Sequence, residues 1–275
     1  MTDKFSNYET RLDQEMSDLE ANAFMETGYV RLGRIASSSE LVALRSRIDD
    51  IMLGNVKYDQ MPMQLDSETG KYGDVPGQTL ADAPSTLAYR RIDELWRDPV
   101  FLGYMQQPLF KSIAARFIGT EVSVFRAMFM NKPAHRGTEL PWHQDVGAGW
   151  GLDANPITTI WTAMDDATRD SGCMQLAPGS HKAGVLSERH FPTEEQITRH
   201  APPAGCIHLE AVAGEAILLH NFLLHRSPVN TSDQPRRAFS VPYMNASVKD
   251  VQSGRTFPVV FGEQALIPEE QVANS

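Results

Sequence analysis

The sequence predicts a mainly β domain, a sandwich or barrel, preceded by a helical N-terminal part. Three observations carry that expectation. Strand-forming residues gather in short runs after residue 121, and turn-rich stretches such as Asp170-Ser-Gly172 and Pro178-Gly-Ser180 separate them. Before residue 121 the apolar residues recur at helical spacing instead. The 275 residues, 41% hydrophobic and 22% charged, suit one large β-rich domain with an ordinary core.

The helical part begins with a Glu-, Asp-, Met- and Leu-rich run that predicts a helix over 8–25. Gly28 ends it, and Tyr29-Val30-Arg31-Leu32 reads as a short strand. Ser37 to Glu40 has the Ser-x-x-Glu spacing of a capping box. Leu41, Leu44, Ile48 and Ile51 follow on one face, which predicts an amphipathic helix over 40–53. Residues 54–86 hold Gly54, Pro62, Gly70, Gly73, Pro76, Gly77 and Pro84 and keep no period. A connection this long inside a domain is uncommon and is often a lid or binding loop. Asp98-Pro99 offers an N-cap and a first-turn proline. Leu102, Leu109, Ile113 and Phe117 then line one helical face up to Gly119. The expected strands are 121–130, 157–163, 205–209, 216–220 and 237–243. The chain shows no internal repeat, so one domain of 1–275 is expected, helical to about 120 and β from about 121 to 250.

The formal net charge is −10, with no basic stripe, which argues against nucleic-acid binding. Two cysteines, Cys173 and Cys206, make no disulfide framework. The polar, acidic start is unlike a signal peptide. No run approaches the ~20 apolar residues that span a bilayer. A cytoplasmic protein, monomer or homodimer, acting on a small molecule is the expectation.

All eight histidines fall between 135 and 225. His143-Gln144-Asp145 is a His-x-Asp unit, and in extended chain side chains two apart point the same way. An imidazole and a carboxylate are then able to grip one metal ion. A histidine from a distant strand would complete a 2-His-1-carboxylate set, the open-faced arrangement of non-haem Fe(II) oxygenases. Alone, His-x-Asp is a weak motif. The candidates for the third ligand are His181, His190, His200, His208, His220 and His225. His225 stands out because Ser227, Arg236 and Arg237 follow it. An arginine holds a carboxylate through two parallel hydrogen bonds, and a serine adds a hydroxyl donor. Only one of Arg236 and Arg237 faces inward on a strand. Pro178-Gly-Ser-His181 reads as a structural turn. His220 is expected to pack inside or cap the sheet, and Trp142 and Trp161 to belong to the core or the pocket wall. Cys173 reads as a small buried residue, and the twelve methionines as gap fillers.

Five motifs in order give a specific resemblance: Trp142-His-Gln-Asp145, Trp161-Thr-Ala-Met-Asp-Asp166, Ser171-Gly-Cys173, Pro178-Gly-Ser-His181, and the run from His225 to Ala238. Over 141–245 the chain resembles the phytanoyl-CoA dioxygenase family of Fe(II)/2-oxoglutarate-dependent oxygenases. The likeness extends to Gly28-Tyr-Val-Arg-Leu32 and the helix after it, and is weakest over 54–86. It implies a double-stranded β-helix, a jelly-roll, cupin-like core with helices packed on one side. It implies His143, Asp145 and His225 as ligands of Fe(II), and Arg236 as the arginine for 2-oxoglutarate, helped by Ser227. Asn131, Lys132, Thr159 and Trp161 complete the candidate contacts to that co-substrate. O2 is the other implied reactant, and succinate, CO2 and a hydroxylated metabolite are the implied products. Related halogenases carry Gly or Ala at the carboxylate position, so Asp145 favours hydroxylation. An acyl-CoA substrate would want a basic patch, which Arg34, Lys57, Arg90 and Arg91 would have to form together; a small polar metabolite fits better.

Two other readings keep the same fold: a catalytically silent binder, and a cupin-like metal protein that does not use 2-oxoglutarate. Arg236 separates the last from the favoured reading. Substituting Arg236→Ala is expected to abolish 2-oxoglutarate-dependent turnover, measured as succinate release; a cupin of the other kind would keep its activity.

Overall fold

The computed structural model describes residues 10–271 apart from 12, 81 and 82. Two antiparallel sheets face one another. Thirteen strands build them: β1 (Tyr29–Arg34), β2 (Met63–Leu65), β3 (Tyr89–Ile92), β4 (Val122–Val124), β5 (Met128–Lys132), β6 (Leu140–His143), β7 (Thr158–Ala163), β8 (Met174–Leu176), β9 (Ile207–Leu209), β10 (Glu215–His220), β11 (His225–Ser227), β12 (Arg236–Asn245) and β13 (Val259–Phe261). The larger sheet runs β1-β10-β7-β12-β5-β3-β2, with β4 pairing both β12 and β13. The smaller runs β6-β11-β8-β9. From β5 to β8 and again from β9 to β12 successive strands alternate between the sheets, as in a double-stranded β-helix.

The helices are α1 (Asp18–Thr27), α2 (Ser38–Leu53), α3 (Pro99–Met105), α4 (Pro108–Phe117), α5 (Glu194–His200) and α6 (Pro268–Gln271). Period-2 alternation in the larger sheet sorts its side chains into two cores. On one face Phe129, Ile160, Leu218, Phe239 and Val241 pack with Phe24, Leu44, Ile48, Phe101 and Phe110 from the helices. On the other, Trp161, Ala163, Ile217, Leu219 and Ala238 meet Met174, Leu176 and Leu209 of the smaller sheet. The mouth of that inter-sheet space is polar and forms the candidate site.

Local chemistry explains where the elements begin and end. The expected helix over 8–25 is found only from Asp18; of its first part, positions 8, 9 and 12 lie outside the described residues. Ser17 starts α1 with a capping box to Glu20, and Ser37 does the same for α2 with Glu40. The single helix expected after Asp98 is two helices. Asp98 caps α3, but Pro108 lacks an N–H and opens a new helix. The run 121–130 likewise divides into β4 and β5. The expected strands near 157–163, 205–209, 216–220 and 237–243 are present within two residues of their bounds, except that 203–205 is a 3-10 turn. Strands β2, β3, β6, β8, β11 and β13 and helix α5 were not anticipated. All of these strands have three or four residues, too short to show a period.

The turn Pro178 to His181 is structural. Gly179 adopts φ 81°, and Ser180 Oγ accepts from Leu224 N at 2.9 Å, just before β11. His181 Nε2 lies 3.0 Å from Met25 O of α1 and its ring stacks on His220 at 4.8 Å. Gly28 must remain glycine there: its φ is 82°, and a Cβ would come 2.6 Å from His181 Nδ1. No helix among the described residues is long and apolar enough to cross a membrane.

His220 yields a pH prediction. Its Nδ1 accepts from Phe222 N at 3.0 Å, so the folded chain holds the neutral imidazole. Burial, and then nearby His181, push His220 down from 6.5 to about 4. The unfolded chain therefore binds a proton in that window that the folded chain refuses, and stability falls as pH falls from 6.5 towards 4. His220→Phe should flatten that part of the profile in urea unfolding followed by circular dichroism at stepped pH.

Candidate functional site

The site is built on the pairing of β6 with β11. His143 is the direct cross-strand partner of His225, and their rings lie 4.0 Å apart. Asp145 follows two residues after His143, and His143 Nε2 is 3.9 Å from its Oδ1. One ligand atom from each of His143, Asp145 and His225 lies within 4.8 Å of the others. Among the described residues no other group of three such side chains converges.

The donor set suits a divalent metal on its own chemistry. His143 Nδ1 is 2.9 Å from Pro141 O, and His225 Nδ1 is 2.9 Å from Leu223 O. Each Nδ1 therefore carries the proton and donates it backwards along its own strand. Each Nε2 is left with a free lone pair facing the other two ligands, the arrangement expected of metal-binding imidazoles. Burial, then the neighbouring His225, hold His143 well below the ordinary histidine range, which keeps it neutral. With Asp145 the set has the two imidazoles and one carboxylate that suit Fe(II).

Residues between and around the ligands hold them in place. The Gln144 side chain is fully buried. Its Nε2 donates to Gly184 O at 2.9 Å and Phe222 O at 2.7 Å, and its Oε1 accepts from Leu186 N at 2.8 Å. Asn221 O accepts from Asp145 N at 2.8 Å, and Asn221 Oδ1 accepts from Thr159 Oγ1 at 3.0 Å. Reading the sequence missed both roles, because nothing in a lone Gln or Asn marks the carbonyls it meets in space.

A cavity of about 270 Å³ opens over the cluster, just below the usual range of ~300–1,000 Å³ for ligand pockets. Thr159, Trp161, Ser227 and Arg236 line it with the three ligand residues. Arg236 is 3% exposed. Its Nη2 donates to Gly172 O at 3.1 Å, while its Nε has no partner. No carboxylate pairs with it among the described residues. Burial pulls it down to about 10, so it stays a cation at neutral pH. An unpaired guanidinium so deeply buried is costly, and a carboxylate from a ligand would complete it. Gly172 has φ 78°, and a Cβ there would meet Pro228 O at 2.7 Å. That explains the middle residue of Ser171-Gly-Cys173.

Arg237 faces the other way. Its guanidinium binds Asp165 at 2.8 and 3.0 Å and Asp49 at 3.0 Å, on the helix side of the sheet. Asn131 and Lys132 are neighbours on β5, and neither lines the cavity. Lys132 pairs with Arg236 across the strands, and its Nζ donates to Thr138 O. Asn131 pairs with Arg237. Its Nδ2 donates to Leu87 O at 3.3 Å and Tyr89 O at 2.9 Å, so the side chain supports β3 rather than reaching the cavity. Trp142 packs outside the cavity, beside Ala177, Ala201 and Leu224. Cys173 is buried.

The patch of Arg34, Lys57, Arg90 and Arg91 that an acyl-CoA would need does not assemble. Arg90 and Arg91 line the cavity, but Arg34 donates to Ala213 O beside β10 and Lys57 borders a separate depression. Arg126 takes their place in the cavity wall. Within 54–86, Tyr72 reaches the cavity. It packs on Phe191 at 5.3 Å and lies under the Arg90 guanidinium at 5.3 Å. The segment is tied down through Asp66, whose carboxylate accepts from Gly137 N at 3.0 Å and Thr138 N at 2.8 Å.

Comparison with known proteins adds three findings. The family model described as phytanoyl-CoA dioxygenase matches residues 24–238. Rat peroxisomal phytanoyl-CoA dioxygenase is 26% identical over 254 residues, which is 88% of this chain and 72% of the rat protein. Among solved structures, EctD from S. alaskensis with 2-oxoglutarate and 5-hydroxyectoine superimposes with a TM-score of 0.65 at 20% identity, over 94% of this chain and 88% of EctD. The 2-oxoglutarate-dependent carbocyclase SnoK from nogalamycin biosynthesis gives 0.66 at 20%, over 93% and 98%. The two structures share the fold.

Gln144→Leu tests how the ligands are held. The substitution leaves three part-buried backbone groups without their partner, each costing up to ~1–3 kcal/mol when unsatisfied. It should lower stability by at least about 2 kcal/mol in urea unfolding and weaken metal affinity about tenfold, measured by competition with a chromophoric chelator.

Proposed function

The chain belongs to the phytanoyl-CoA dioxygenase family, and from that membership and the cavity we propose that it is an Fe(II)- and 2-oxoglutarate-dependent dioxygenase that hydroxylates a small metabolite. One observation carries the reading. An imidazole–carboxylate–imidazole set with both Nδ1 atoms tied shares a cavity with a buried guanidinium that has no carboxylate partner. A keto diacid is suited to both features, its keto-acid end at the metal and its far carboxylate on Arg236.

In this reading His143, Asp145 and His225 hold Fe(II), and Arg236 and Ser227 hold the far carboxylate, with Thr159 and Trp161 forming the wall beside it. Lys132 stands beside Arg236 across the strands and is engaged by Thr138 O, with burial and then the charge of Arg236 holding its pKa well below the ordinary lysine range. When bound, the iron supplies the oxidising chemistry. The overall reaction consumes one O2: one oxygen atom enters succinate as 2-oxoglutarate loses CO2, and the other becomes the substrate hydroxyl. The protein orients the two organic reactants and keeps water away. Asp145 occupies the third ligand position and leaves no room for a halide there. We assign residues 1–275 to one oxygenase unit, with 54–86 as a lid whose Tyr72 covers the cavity mouth.

The test is an anaerobic titration of the metal-free protein with Fe(II) and then 2-oxoglutarate, followed in the visible region. A weak charge-transfer band that needs both additions is expected. With Fe(II) binding shown separately, absence of the band removes 2-oxoglutarate from the reaction.

A further inference from the structure

Arg236 is not the only arginine in the cavity. Arg90, Arg91, Arg126 and Arg226 line it as well; Arg226 is exposed and engaged by Gln175 and the Trp142 ring, and the reaction proposed above has no task for the other three. Their placement begins in the sequence. Tyr89-Arg90-Arg91-Ile92 puts two charged residues between two apolar ones and so breaks strand alternation. The strand answers with a bulge: Gln64 of β2 pairs with Arg91, but the next residue, Leu65, pairs with Tyr89. Arg90 is the extra residue. Bulges re-aim side chains and are frequent beside active sites. Tyr89 and Ile92 are buried in the helix-side core, and both arginines turn to the cavity. The Asn131 amide, donating to Tyr89 O and Leu87 O, holds the bulge in place.

Arg126 joins them from the link between β4 and β5. It packs over Phe125 at 4.8 Å and Trp150 at 5.7 Å. Asp93 is the shared counter-ion, 3.2 Å from Arg91 and 4.0 Å from Arg126, and it also accepts from Gln78 at 2.8 Å. Arg90 donates to Gln64 Oε1 at 2.9 Å and is 7% exposed. Arg91 Nε and Asp93 Oδ1 are the atoms 3.2 Å apart, an ion pair whose geometry makes no hydrogen bond. Asp66, behind Arg90, is taken up by Gly137 and Thr138. Asp145 is the one acidic residue lining the cavity among those described, and it belongs to the metal cluster.

Two guanidiniums thus share one partly engaged carboxylate, and the third, Arg90, has a neutral amide as its hydrogen-bond partner. Burial, and then the charge of Arg91, lower the pKa of Arg90; burial also lowers that of Arg126, again with a contribution from Arg91. A group arranged only for stability would not gather like charges in a cavity wall, because each repels the others where water is scarce. Such arrangements are found where a ligand supplies the missing charge. Guanidinium forks match the oxygens of a phosphoryl group, and three of them facing one cavity carry more positive charge than Asp93 and Asp66 together offset.

We infer that the substrate carries a dianionic phosphate or phosphonate head group, held by Arg90, Arg91 and Arg126 with Tyr72 beside it, leaving its carbon chain over the metal cluster. This deepens the proposed function and rests on it for the division of labour: Arg236 takes the co-substrate, and the three other arginines take the substrate. The cavity of about 270 Å³ restricts the enclosed part to a small molecule.

The test is isothermal titration calorimetry of the full chain loaded with Ni(II) and 2-oxoglutarate. The probes are n-propylphosphonate, n-propyl phosphate, n-butyrate and n-propyltrimethylammonium. Saturable binding of a dianionic probe, at least tenfold tighter than butyrate and the ammonium, is expected, with 2-oxoglutarate retained. The tighter of the two dianions identifies the phosphate or the phosphonate source. Arg91→Gln and Arg126→Gln should each weaken that binding at least tenfold while 2-oxoglutarate affinity changes less than threefold, which also shows the variants folded. The inference is overturned if neither dianion binds, if butyrate or the ammonium binds as tightly, if the variants bind as the parent does, or if the dianion displaces 2-oxoglutarate. Should 2-oxoglutarate itself not bind the metal-loaded parent, the proposed reaction fails instead; the same comparison with Ni(II) alone then decides the head-group site.

Discussion

The cross-strand pair of His143 and His225 organises the cavity. The two imidazole rings lie 4.0 Å apart between the sheets, His143 buried and His225 half-buried. Their Nδ1 protons go to the carbonyls of Pro141 and Leu223, which turns both Nε2 lone pairs inward. Asp145 then needs only the two-residue step from His143 to meet them. Every other feature of the site serves that geometry or faces it. Gln144 binds the ligand segment to the loops at Gly184 and Phe222, and Asn221 anchors Asp145 through its backbone.

The alternation of β12 solves a second problem, that of placing a bare cation in a protein interior. Arg236 and Arg237 are adjacent and chemically identical. Arg237 points to the helix side, where Asp165 and Asp49 neutralise it. Arg236 points between the sheets and meets one carbonyl. The difference is set by strand geometry alone, and it converts one of two like residues into a carboxylate receptor. On β5 the Lys132 ammonium goes to Thr138 O and the Asn131 amide to the carbonyls of Leu87 and Tyr89. A β-bulge, which suspends alternation at Arg90, adds the remaining positive charge.

Much of this is legible in the sequence where a physical rule links neighbours. His143 and Asp145 share a face because two extended residues do, and the Arg236–Arg237 choice reduces to one inward residue. The capping boxes at Ser17–Glu20 and Ser37–Glu40 and the strands near 157–163 and 216–220 follow from local pattern. The β-helix and the choice of His225 came from the ordered motifs, since spacing cannot bring 143 and 225 together. What stayed hidden depends on long-range pairing. Strands of three residues such as β8 and β11 have no period of their own and exist because their partners do. Arg126 is an ordinary residue in a strand-rich run until β4 and β5 separate around it. Asn131 looked like a cavity residue, and only the position of β3 shows that its amide serves Tyr89 and Leu87. The Arg90-Arg91 doublet did carry a signal, broken alternation between Tyr89 and Ile92, which became interpretable once β3 was seen to bulge.

In the proposed reaction one cavity is divided into a metal cluster, a co-substrate end at Arg236 and a substrate end at Arg90, Arg91 and Arg126. The most direct test is a crystal structure of the protein soaked anaerobically with Fe(II) and 2-oxoglutarate. The account predicts iron bonded to Nε2 of His143 and of His225 and to the Asp145 carboxylate, with the far carboxylate of 2-oxoglutarate on Arg236. Iron bound elsewhere, or that carboxylate seated among Arg90, Arg91 and Arg126, would contradict it.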